Sequence, residues 1–318
     1  MRKLRYLAAA CAVVMISVLG TASAASAAGL RTTDLVAFVR GGNLFVANGT
    51  AAPVQVTTGG GYSWPRWAPA ANLGAIAYVH NGDLFVSQFS SRFGLTGTIQ
   101  VSTGAAPDGA GWSPDGHHLA YIDTNAGELR VADITVTPVT SVTLAGASIG
   151  STHGPDFSPL INSASVAWSP NGKWIAFPNG ECEGIFDHCL SYIDTTTLEQ
   201  NDVAAFSGGG DVREGYATVP AWSADSKQLY WTQQSTDPLI NNGNTVSKLQ
   251  IWHLAIGQPN GLARQWGRDG DSEIVPFPSG GTRFVLTVPV GHTAWVAESE
   301  GGVRTLLYPG YQPSWVLN

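Results

Sequence analysis

A chain of 318 residues with 44% hydrophobic and 12% charged positions, 38 glycines and 11 tryptophans can bury a sizeable core and does not have the composition of a disordered or fibrous protein. Asp and Glu outnumber Lys and Arg by 23 to 16, a formal net charge of −7. Holding a phosphate backbone needs clustered Lys and Arg, and no basic stripe exists here, so nucleic acid is excluded as a partner.

In chain order, the first element is a leader. Arg2, Lys3 and Arg5 precede the apolar run YLAAACAVVMISVLG, which is short for a bilayer span, and ASAASAA then offers small-residue cleavage sites. Residues 1–28 therefore read as a secretory signal peptide cleaved near residues 24–28. The product is expected outside the cytoplasm, without stable membrane insertion, as a single domain over residues 29–318. Cys11 leaves with the leader. The remaining Cys182 and Cys189 read as a disulfide in an exported protein; the alternative, half a metal site with His188, lacks a fourth soft ligand.

The segment LVAFVRGGNLFVANGTAAPVQVTT at 35–58 reads as three short strands. Its opening, AFVRGGNLFVA at 37–47, matches AYVHNGDLFVS at 77–87, where Asn81-Gly82 has the chemistry of a two-residue hairpin turn. Further on, WSPDGHHLAYI at 112–122 is echoed by WSPNGKWIAF at 168–177 and WSADSKQLYW at 222–231. Anchors fall at Trp67, Trp112, Trp168, Trp222, Phe277 and Trp315, a period of roughly 50 residues that marks a repeat architecture. Within a unit, Trp ends one strand, SPDG turns the chain, HLAYID alternates as a second strand, and GELRVADI and SVTLA follow as third and fourth. No segment shows a convincing 3.6-residue apolar period.

Four short strands per unit, repeated radially, predict an all-β fold: a six-bladed β-propeller of four-stranded antiparallel blades. The N-terminal unit lacks a first strand and YQPSWVLN at the C-terminus supplies one, so the two ends are expected to share one blade and close the ring. The repeated phrases also resemble those of the TolB-like six-bladed propellers, relatives of the WD-repeat proteins. The likeness runs through PRWAP at 65–69, GWSPDGHHLAY at 111–121, AWSPNGKWIAF at 167–177, PAWSADSKQLYW at 220–231 and PSW at 313–315. Blade 6, with FPSGGTRFVL, keeps the spacing but not the letters. The resemblance implies the propeller alone: it leaves no room for the N-terminal domain of the TolB family or for the hydrolase domain of prolyl-oligopeptidase-like enzymes, so neither partner contacts nor peptidase activity carry over.

The repeated residues are expected to be framework, and function to sit on loops. The longest segments, at 145–164, 178–189, 206–219 and 233–247, all join fourth to first or second to third strands, which share one face of a propeller. That face, centred on blades 4 and 5, gathers His153, Asp156, Glu181, Glu183, Asp187, Asp211, Arg213, Glu214 and Asp237. Tyr62, Trp64, Phe157, Tyr216, Trp266 and Tyr311 are expected near the channel mouth. Ligand-binding candidates are His153, Asp156, Asp211, Arg213, Glu214, Tyr216, Asp237, Trp64 and Tyr311. Asp269, Asp271 and Glu273 form a partial calcium-loop pattern without the full motif, so Ca²⁺ is the one cofactor considered. GASIG at 146–150 matches a nucleophile motif, but no helix-forming sequence follows Ser148. The expected function is a monomeric, exported, non-enzymatic binding or scaffold propeller that offers this face to a peptide, protein or glycan. The alternative is a metal-assisted polysaccharide lyase or hydrolase using the same face.

Overall fold

A computed structural model describes residues 34–49, 51–69, 74–89, 94–103, 108–146, 163, 165–179, 188–206, 215–235, 248–257, 262–277, 282–300 and 302–316. They form six four-stranded antiparallel sheets. Blade 1 is composite: β1 (Leu35–Arg40), β2 (Asn43–Asn48) and β3 (Val54–Gln55) are completed by β24 (Tyr311–Val316), which pairs with β1. Blade 2 comprises β4 (Tyr62–Trp67), β5 (Ala75–His80), β6 (Asp83–Phe89) and β7 (Leu95–Ser102). Blade 3 comprises β8 (Gly111–Trp112), β9 (His118–Asp123), β10 (Glu128–Asp133) and β11 (Thr140–Gly146). Blade 4 comprises β12 (Ala167–Trp168), β13 (Trp174–Asn179), β14 (His188–Asp194) and β15 (Gln200–Phe206). Blade 5 comprises β16 (Gly215–Trp222), β17 (Gln228–Ser235), β18 (Gln250–Ala255) and β19 (Arg264–Trp266). Blade 6 comprises β20 (Ser272–Pro276), β21 (Phe284–Val290), β22 (Thr293–Glu300) and β23 (Val303–Pro309).

The recurrent phrase makes the same turn three times. In blade 3 the Ser113 hydroxyl donates to Asp115 at 2.5 Å and accepts the His118 amide at 2.9 Å, while Asp115 accepts the His117 amide at 2.9 Å. Gly116 closes the turn with φ +72°. Ser169, Asn171 and Gly172 repeat this geometry in blade 4, and Ser223, Asp225 and Ser226 in blade 5. Hydrogen bonds from Ser113 and from the His117 amide hold the Asp115 carboxyl below its ordinary range, so it stays an acceptor at neutral pH.

The blades are joined face to face. Each hydrophobic cluster among the described residues is shared by two neighbours: Phe38 and Trp315 meet Phe277 and Val285 between blades 1 and 6, while Leu190 and Ala176 line blade 4 where Trp222 and Trp231 of blade 5 pack. The anchor tryptophans also stitch blades through their indole N–H groups. Trp112 Nε1 donates to Arg66 O at 3.0 Å, Trp222 Nε1 to Ala167 O at 3.1 Å and Trp315 Nε1 to Pro276 O at 3.4 Å. Trp168 differs, donating to Gly172 O in its own turn at 3.1 Å. Trp222→Phe removes one such bond and leaves the Ala167 carbonyl without it, so a loss of about 1–2 kcal/mol is expected. A urea titration checks this, and an unchanged midpoint would show that the indole bond contributes nothing.

One anchor is displaced from its expected place. Pro276 stands opposite Phe284 in the ladder, as Trp222 stands opposite Leu229, so Phe277 occupies the position of the turn serine. Its amide bonds Arg283 O at 3.1 Å, as Ser223 N bonds Gln228 O at 2.9 Å. The Phe277 ring still reaches Trp315 edge-on at 4.6 Å between centroids.

Candidate functional site

The innermost strands carry a device that the sequence did not announce. β4, β16, β20 and β24 each break register, and Trp64, Val219, Glu273 and Gln312 sit there at φ +50° to +54°. Left-handed backbone at non-glycine residues costs on the order of 1–3 kcal/mol each and persists only where neighbours enforce it. Here the bulged amides turn toward the preceding blade. Trp64 N donates to Gln312 Oε1, Gln312 N to Glu273 Oε2, and Glu273 N to Thr232 Oγ1, each at 2.8 Å. The Thr287 hydroxyl also donates to Glu273, and Thr218 donates to Ser163 O at 2.8 Å. A polar chain thus links blades 5, 6, 1 and 2 around the channel.

Charge is built into this belt. Burial pushes the Glu273 carboxyl up, opposed by its bonds from Thr287 and Gln312 and by the Arg66 charge. Burial brings the Arg66 guanidinium down to about 10 against the pull of Glu273 and Asp108, so it remains cationic at neutral pH. Arg66 stands 5.2 Å from the Trp64 ring centroid and donates to Ser165 at 3.4 Å. Glu273 and Trp64 are therefore partners of the frame.

The other expected site residues separate. Tyr311 is half-buried against the blade 1–2 cluster. Tyr216, on the inner strand β16, is 1% exposed and donates to Gln234 Oε1 at 3.0 Å. Trp266 lies on β19, the outermost strand of blade 5, not near the channel. Asp271 is fully buried and bidentate to Arg304, with Nη1–Oδ1 at 2.7 Å. Asp269 instead meets Lys248 Nζ at 3.2 Å and the amides of Gln250 and Gln265 at 2.9 and 3.1 Å. The three carboxylates of the calcium pattern thus have three separate sets of partners. Among the described residues no three His, Cys, Asp or Glu side chains converge as a metal site. Cys189 is buried on β14. His153, Asp156, Cys182, Asp211, Arg213, Glu214 and Asp237 lie outside the described residues.

Among the described residues, two clefts between blades are formed. One, of about 700 Å³ between blades 3 and 4, has Asp115 and Asp133 beside Val131, Val142, Leu144 and Trp168. The other, of about 470 Å³ between blades 5 and 6, is walled by Tyr230, His253, Trp266 and Phe284, with Arg268 and Arg304 among its lining. The second went unnoticed in the sequence because its rings come from four different strands. The one available signal was Trp266 on a fourth strand, since fourth strands lie at the rim.

No family model and no curated protein sequence matches the chain. Among solved structures it is similar to TolB from Acinetobacter baumannii, at 15% identity and TM-score 0.61, covering 91% of this chain and 68% of that one. A putative TolB from Agrobacterium tumefaciens follows at 16% identity and TM-score 0.54, covering 89% and 92%. An oligogalacturonate lyase in complex with manganese aligns at 12% identity and TM-score 0.51, covering 84% and 70%. At these identities the likeness establishes the TolB-like propeller fold. No helix among the described residues is long and apolar enough to cross a membrane.

Proposed function

We propose, from a six-bladed frame similar to that of TolB, that this chain is an exported, monomeric, non-enzymatic binding propeller whose acidic, loop-rich face on blades 4 and 5 takes a peptide, protein or glycan partner. The observation that carries this reading is the strand order. The ends of β11, β13, β15 and β17 and the starts of β12, β14, β16 and β18 lie on one side of the antiparallel ladders, which supports assigning the sequence between them, at 147–166, 180–187, 207–214 and 236–249, to one face. Those segments carry His153, Asp156, Asp211, Arg213, Glu214 and Asp237. Rigid blades that hold variable acidic segments suit recognition of a cationic or hydroxylated surface. The disulfide-bonded state of Cys189 supports its pairing with Cys182, which would tether one of these segments. It also suits the oxidising compartment to which residues 1–28 would send the chain.

The test combines melting and titration. Oligolysine, as a cationic peptide probe, is expected to raise the melting midpoint. A ligand at a hundredfold excess over Kd adds about 2.7 kcal/mol. Asp211→Lys with Glu214→Lys is expected to weaken that binding roughly tenfold, about 1.4 kcal/mol. Ca²⁺ and EDTA are expected to leave the midpoint unchanged. If Ca²⁺ or Mn²⁺ raises it and polygalacturonate is cleaved to unsaturated products, the metal-assisted enzyme replaces the binding propeller.

A further inference from the structure

The cleft between blades 5 and 6 uses none of the residues assigned to the loop face, and its chemistry is opposite. Four rings form one connected wall. Tyr230 stacks on His253 at 5.5 Å and 10°, meets Phe284 edge-on at 5.4 Å, and Phe284 meets Trp266 at 4.6 Å. Around this wall the charge is positive in an otherwise acidic chain. Arg304 is neutralised by buried Asp271, but Arg268 is exposed on the lining and Arg264 acts on His253 from β19. Burial and the Arg264 charge lower the His253 pKa, which keeps the imidazole neutral at pH 7. Its Nδ1 is buried and has no hydrogen-bond partner, an arrangement that native interiors rarely tolerate without a ligand or water.

We propose that this cleft binds a planar aromatic ring bearing a carboxylate, with the ring against the Trp266, Phe284 and Tyr230 wall and the carboxylate at Arg268. A volume of about 470 Å³ suits one such group and not an extended chain. Aromatic surfaces prefer offset or edge contacts with another ring, which the tilted pairs of this wall present. A guanidinium takes a carboxylate through two parallel N–H bonds, which selects an acid over its amide. His253, stacked on Tyr230 at 5.5 Å, holds that ring in place in the wall. The group can come from a free aromatic acid or from the C-terminal aromatic residue of a peptide.

The experiment is calorimetric titration of the whole exported chain with phenylacetate, with acetyl-Gly-Phe bearing a free C-terminal carboxylate, and with the same dipeptide amidated. Saturable binding of the two acids is expected, with the amide roughly tenfold weaker, about 1.4 kcal/mol. Arg268→Gln, at an exposed position, is expected to lower affinity for the acids by a similar factor without moving the melting midpoint. Tighter binding of the dipeptide than of phenylacetate identifies a peptide terminus as the source, and equal binding a free acid. Absence of saturable heat with either acid, equal affinity for acid and amide, or unchanged affinity in Arg268→Gln would each overturn the assignment.

Discussion

Removal of residues 311–318 is expected to abolish cooperative folding. These residues include β24, the inner strand of blade 1, and without it β1 presents an unpaired edge to the channel. The loss extends beyond one ladder. Trp315 belongs to the cluster that joins blades 1 and 6, Gln312 accepts from Trp64 N, and Ser314 accepts from Trp67 N at 3.1 Å. Blades 6 and 2 therefore each lose part of their contact with blade 1 through a single strand. Far-UV circular dichroism and a thermal melt provide the readout. A truncated chain that melts sharply within a few degrees of the full chain would show that the ring does not need this closure.

Arg283→Met should be the most damaging single substitution at the same seam. Arg283 lies between two almost fully buried carboxylates, with Nη2 3.3 Å from Asp34 and Nε 2.9 Å from Glu298, whose side chains are 2% and 3% exposed. Its guanidinium also covers the Phe277 ring at 4.2 Å and the Trp315 ring at 5.5 Å. Removing one member of a buried charge set costs about 3–5 kcal/mol, because the remaining charges lose their compensation. For a domain of this size that corresponds to a fall in midpoint of roughly 6–15 °C. Because the penalty comes from uncompensated acid, Arg283→Met combined with Glu298→Gln should recover part of the loss. A single-variant loss below about 1 kcal/mol would place the triad among interactions that merely break even.

The misplacements follow one pattern. The spacing that selected Phe277 counts residues along the chain, whereas the ladder counts pairs, and a one-residue shift in blade 6 separates the two. Tyr216, in the long 206–219 segment, and Asp271, in a short linker, looked available because polar side chains between strands are often solvated. Tyr216 instead meets Gln234, 18 residues away, and Asp271 meets Arg304, 33 away. Glu273 looked like a third calcium ligand, yet it accepts the amide of Gln312, 39 residues on. The periodic turn residues gave little trouble, since their partners lie within the same short turn.

By itself the sequence determined the blade count, the shared closing blade and the turn chemistry. The turn chemistry rests on local, repeated interactions: Ser113 to Asp115, Ser169 to Asn171 and Ser223 to Asp225 lie two residues apart, so the letters and the geometry coincide. Only the tertiary structure decided which polar groups belong to the frame and where an open cleft remains. The bulged amides of β4, β20 and β24 find acceptors on neighbouring blades, Trp64 reaching across 248 positions to Gln312. The ring wall between blades 5 and 6 likewise draws Tyr230 and His253 from one blade and Phe284 from the next. Whether a buried carboxylate is compensated, or an aromatic surface is left uncovered, depends on the side chains that the adjacent blade presents. That pairing is set by closure of the ring, because each blade buries its faces only against its neighbours.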